Sequence, residues 1–61
     1  MIQLNSPSIL PPVGCSLLVM LDGVLTRAVR TSYIERKTDL IEYKIESTDE
    51  LILGLLEWTY P

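Results

Sequence analysis

An Asp22-Gly23 pair set between two apolar runs constrains this chain more than any other feature of it. A two-residue hairpin loop that matches the twist of its strands needs positive φ at both central positions, and Asp-Gly meets that demand with little strain. The run before it, Cys-Ser-Leu-Leu-Val-Met-Leu over 15–21, has strand length, and Val24 begins the return. Leu17, Val19 and Leu21 then share one face, and Leu18 and Met20 the other. Apolar side chains on both faces predict a strand covered twice, inside a barrel wall or against another subunit.

Two patterns compete from Val24 to Ile34. Val24, Thr26, Val29, Thr31, Tyr33 and Ile34 are β-branched or aromatic and favour a strand. Leu25, Ala28, Val29 and Ser32 would line one face of a helix. The turn at Asp22-Gly23 needs a partner strand, so the strand is the reading adopted. Glu35 to Asp39 is a polar turn. Beyond it Ile41, Tyr43 and Ile45 alternate with Glu42, Lys44 and Glu46, the pattern of a half-exposed antiparallel strand.

The C-terminal third carries a conflict. Ser47 followed by Glu50 fits a capping box that would launch a helix over about 48 to 58, with Leu51, Leu55 and Trp58 on one face. Against it, Glu50-Leu51-Ile52-Leu53-Gly54 is a short apolar run closed by glycine. Gly54 inside a helix would cost about 1 kcal/mol relative to alanine. The adopted reading is a strand, one helical turn near Leu55 to Glu57, then a short strand at Trp58-Thr59-Tyr60. At the other end Pro7, Pro11 and Pro12 hold residues 1–12 as an extended arm, with Ile2, Leu4, Ile9 and Leu10 as apolar anchors. Residues 13–61 form one small β-rich domain. Turns every eight to twelve residues predict an all-β fold, a small barrel or sandwich of four or five short antiparallel strands. The alternative is α+β with the C-terminal helix.

Composition narrows function. A 61-residue chain buries only about 60% of its unfolded surface, too little for a deep cleft or a dinucleotide fold. It has no histidine, the commonest general base and metal ligand, and one cysteine, which excludes an internal disulfide and a multi-cysteine zinc site. Cys15 opens an apolar strand and reads as a small buried hydrophobe; an intermolecular disulfide across a dimer axis is the alternative. Glu42 with Glu46, and Asp49 with Glu50, match no calcium loop and read as solvated strand and turn. No enzyme, no cofactor and no metal are therefore expected. The stretch from Ile9 to Leu21 has prolines, lacks a basic flank and falls short of the roughly 20 residues of a membrane helix. A cytoplasmic protein without membrane contact is the expectation.

Two segments carry a resemblance. Leu10-Pro11-Pro12-Val13-Gly14-Cys15, ahead of the first strand, and Glu50-Leu51-Ile52-Leu53-Gly54 with Glu57-Trp58-Thr59-Tyr60-Pro61 at the end are similar to small proteins of unknown function from tailed phages and prophages. The resemblance implies an SH3-like barrel and a phage accessory protein in a bacterial cytoplasm. It brings no activity. The middle of the chain departs from such barrels in having fewer glycines and aromatics.

The function expected is protein–protein binding: modulation of a host or phage protein, or self-assembly. With 48% hydrophobic residues on so short a chain, a homo-oligomer or a partner-covered face follows. Leu18, Met20 and Leu25 would supply an apolar docking face. Tyr43, Trp58 and Tyr60 would form an aromatic groove, although a tryptophan so placed is more often a core plug that closes a small barrel; the two are compatible if the ring is half exposed. Arg27, Arg30, Arg36 and Lys37 are candidate charged contacts, and on a strand Arg27 and Arg30 point to opposite sides. A small nucleic-acid-binding barrel using those four is one alternative, opposed by the net charge of −3. A structural subunit of a larger assembly is the other.

Overall fold

Five antiparallel strands form one sheet in the computed structural model, which describes residues 3–61: β1 (Ser16–Leu21), β2 (Val24–Glu35), β3 (Leu40–Ile45), β4 (Leu51–Gly54) and β5 (Trp58–Thr59). The expected all-β class holds. The helix over 48 to 58 does not form, nor does the helical turn at Leu55 to Glu57, which is irregular. The anchor assigned to Ile2 lies outside the described residues.

Each of the three hairpins turns on an aspartate with positive φ. Leu21 pairs with Val24 around Asp22 (φ 51°) and Gly23 (φ 81°), the two-residue turn anticipated. The β2–β3 loop, Arg36-Lys37-Thr38-Asp39, ends with Asp39 at φ 55°. The β3–β4 loop, Glu46-Ser47-Thr48-Asp49-Glu50, holds Asp49 at φ 59° one residue before its end. Its Ile45 N–H donates to the Glu50 carbonyl at 2.8 Å, so Glu50 closes a hairpin instead of capping a helix. Asp suits these positions because its short side chain tolerates the left-handed region.

Strand order is β4-β3-β2-β1-β5, which puts β4 and β5 on opposite edges although only Leu55, Leu56 and Glu57 join them. Four residue steps reach at most about 14 Å. Four strand spacings across a flat sheet come to about 19 Å. The sheet therefore has to curl, and the register shift in β2 between Arg30 and Ile34 gives it a place to bend. The result is barrel-like but open: β4 and β5 are not hydrogen-bonded to each other.

The inner face carries the core. Across the sheet run Trp58–Val19–Thr26, Leu17–Ala28–Ile45 and Arg30–Tyr43–Ile52. Leu17, Val19, Ala28, Ile41 and Tyr43 are almost wholly inaccessible. A bare sheet face cannot reach that state, and the arm closes it. Asn5 forms an antiparallel bridge to Trp58, the Trp58 indole Nε1–H donates to the Ile9 carbonyl at 2.6 Å, and Arg30 Nη1 donates to the Pro11 carbonyl at 2.7 Å. Pro11 itself is fully buried. Asn5, Ile9 and Pro11 thus tie the arm to the sheet through backbone groups, whereas the side chains of Ile9 and Leu10, expected as apolar anchors, are exposed, Ile9 meeting the sheet by its carbonyl.

Candidate functional site

The outer face of the β1–β2 hairpin brings Leu18, Met20 and Leu25 together. Met20 stands opposite Leu25, Leu18 opposite Arg27 on one side and Thr59 on the other. All three apolar side chains are half-buried, and the described part of the chain lays no second layer over them. Beside them is a polar strip. Ser16 Oγ donates to Glu46 Oε2 at 2.6 Å, and Arg27 Nη1 reaches Ser16 Oγ at 3.5 Å, the outer limit for a hydrogen bond. Further along the same face, Val29, Lys44, Glu46 and Asp49 line an open depression of about 320 Å³. Lys44 Nζ and Asp49 Oδ1 are 3.4 Å apart across its rim, an exposed pair of small energetic weight.

The aromatic groove does not assemble. Tyr43 and Trp58 are core residues, 1% and 4% exposed, because both fall on the inward parity of their strands. Burial raises the Tyr43 phenol pKa above its ordinary value, and the positive Arg30 guanidinium partly offsets this. Tyr60 alone is exposed, its ring edge-on to Trp58 with centroids 5.3 Å apart. One exposed ring against a buried one leaves no cleft between aromatic walls.

The basic residues disperse as well. Arg27 is exposed on the outer face, Arg36 and Lys37 sit in the β2–β3 loop, and Arg30 is buried on the inner face. Arg30 is inward because it follows Ala28 by two positions on β2. Its Nε has no hydrogen-bond partner among the described residues. Tyr33, near the end of β2, donates to Glu35 at 3.1 Å, and that bond to a carboxylate raises its pKa.

Cys15 corrects the sequence reading: it is exposed. Ladder pairing begins at Ser16, so Cys15 lies past the sheet end, next to the Gly14 turn (φ 83°) and outside the core. Glu42 accepts a hydrogen bond from Thr31 at 2.7 Å and Glu46 one from Ser16, so the two carboxylates serve different local partners. No group of three or more potential metal ligands occurs among the described residues. No helix among them is long and apolar enough to cross a membrane. Comparison with protein-family models, with curated proteins and with solved structures finds no match to this chain.

The sequence missed the outward positions Leu51 and Leu53, both exposed on β4. Their signal was the alternation around Ile52, masked by the competing helical pattern.

Proposed function

We propose that this chain is a non-enzymatic binding module of the phage-accessory kind, and that it docks on a protein through the outer face of its first hairpin. The observation that carries the reading is the Leu18, Met20 and Leu25 cluster. These side chains sit on the face turned away from the core, framed by Thr59 and Arg27. Apolar surface framed by polar groups suits a protein partner, with the charged frame setting orientation and association rate more than affinity. Dispersal of Arg27, Arg30, Arg36 and Lys37, together with a net charge of −3, favours a protein over a nucleic acid.

The test is capture from bacterial lysate by tagged protein, treated with nuclease and washed at two salt concentrations, beside a Met20→Lys variant. A discrete protein retained by the wild type and lost by the variant is the expected result. Capture abolished by nuclease would instead assign the chain to nucleic acid. Equal capture by both proteins would remove the hairpin face from the account.

A further inference from the structure

The two edges of the sheet are treated differently. On β5 the outward backbone groups belong to Trp58, and both are taken: Asn5 N–H donates to its carbonyl at 2.6 Å, and Asn5 O accepts its N–H at 3.3 Å. On β4 nothing comparable occurs. Ile45 N–H bonds Glu50, and antiparallel ladders alternate, so Ile52 and Gly54 direct their backbone groups at Tyr43 and Ile41 on β3. Leu51 and Leu53 direct theirs outward, where no backbone partner meets them among the described residues. The side chains of Leu51 and Leu53 are 57% and 48% exposed. The strand holds no charge and no proline, the usual means of blunting an edge.

We infer that β4 pairs antiparallel with β4 of a second copy of this chain, with the two-fold axis at Ile52. The register follows from the backbone alone. Only Leu51 and Leu53 have groups to offer, so Leu51 must stand opposite Leu53 of the second copy, and Leu53 opposite its Leu51. That arrangement satisfies the outward N–H and C=O of both residues in both copies. Side-chain chemistry agrees with it. On the outer face the row across the junction reads Lys44, Leu51, then Leu53 and Glu42 of the second copy. An apolar pair meets at the centre, flanked by charges of opposite sign. Glu50 falls opposite Gly54 of the second copy, so no carboxylate meets another. A parallel pairing in register would bring Glu50 against Glu50. The proposal goes beyond the binding role above and uses a different surface, so the two stand or fall separately.

A four-residue edge makes a small junction, well below the area of an obligate dimer, so the association is concentration-dependent and weak. Each copy carries −3, so salt strengthens the association by screening the repulsion.

The experiment is sedimentation equilibrium from about 10 μM to about 1 mM, paired with amide chemical shifts over the same range. The wild type should dimerise, with shifts moving at Leu51 and Leu53 and more dimer at higher salt. Leu53→Pro deletes an outward N–H and no β3 bond, and Leu51→Lys adds an edge charge; each should weaken dimerisation at least about tenfold. Far-ultraviolet circular dichroism and Trp58 emission report whether each variant is folded. Should Leu53→Pro fail to fold, Leu51→Lys and the wild-type shifts carry the test. A wild type that stays monomeric to about 1 mM would overturn the inference, as would folded variants that dimerise undiminished or shifts confined to Leu18, Met20 and Leu25.

Discussion

Arg30 is the most heavily constrained residue of the chain. The residue is 8% exposed, its Nη1 donates to the Pro11 carbonyl, and it pairs with no carboxylate among the described residues. Desolvating an unpaired cation opposes folding, while the bond to Pro11 and the packing of the stem favour it. Arg30→Met is expected to change unfolding free energy by no more than about 1 kcal/mol in urea titration, since it trades one effect for the other. Arg30→Glu sets a carboxylate against the Pro11 carbonyl and should cost at least about 3 kcal/mol. Tyr43 gives a pH signature. Its phenol ionises less readily folded than unfolded, so its contribution is intact below the ordinary value of 10.0 and is lost as pH rises through the raised folded value. Thermal midpoints should therefore fall above about pH 10, and Tyr43→Phe should flatten that fall. Cys15, exposed as it is, should react with a thiol reagent in the native protein as fast as in urea; marked protection would return it to the core.

Among the elements, the hairpin loops decide the outcome. Both longer loops carry Thr-Asp at or next to their end, Thr38-Asp39 and Thr48-Asp49, with the aspartate left-handed in each. Asp39→Val would place a β-branched residue in that region and should cost roughly 1–2 kcal/mol, whereas Asp39→Gly should be neutral or stabilising; chemical denaturation separates the two. The same pair of loops explains what could and could not be read in the residues. Asp22-Gly23 and the alternation over Leu40 to Ile45 were legible because each has one physical solution. Ser47 with Glu50 was not, since the spacing of a capping box also fits a loop in which Glu50 closes the hairpin just ahead of β4. The Thr-Asp repeat, shared with an unambiguous hairpin loop, was the signal that separates them.

At the scale of the molecule, closure depends on residues far apart in sequence. The arm meets Trp58 across 49 positions through Ile9 and meets Arg30 across 19 through Pro11. Removing residues 1–10 would strip the Ile9 carbonyl from the indole and uncover the core. For a domain of this size each 1 kcal/mol lost lowers the midpoint by about 4–8 °C, and a drop of more than about 8 °C is expected, with Trp58 emission moving to the red. An unchanged melt would show that the sheet closes without the arm. The candidate surface was partly legible at this scale. Leu18, Met20 and Leu25 follow from strand parity and one turn, so their shared face needed no tertiary information. Tyr43 was legible too, since Glu42, Lys44 and Glu46 mark the other face of its strand as the wet one. Arg30 was not, because on β2 parity sorts residues into two faces without saying which becomes the interior.

What the chain determines locally is therefore the first hairpin with its register and the strand through Tyr43, not β4 or the register shift in β2. Asp22-Gly23 sets one hairpin, the alternation through Tyr43 sets another strand, and the prolines keep helix out of the first twelve residues. These are short-range matters of φ, periodicity and missing donors. For the first hairpin, apolar on both faces, only the tertiary structure decides which face is the core, because that depends on where the arm returns and on how far three residues can stretch between β4 and β5. It also decides which edge stays open: Asn5 occupies one, and β4 is left with its leucines and backbone groups facing outward.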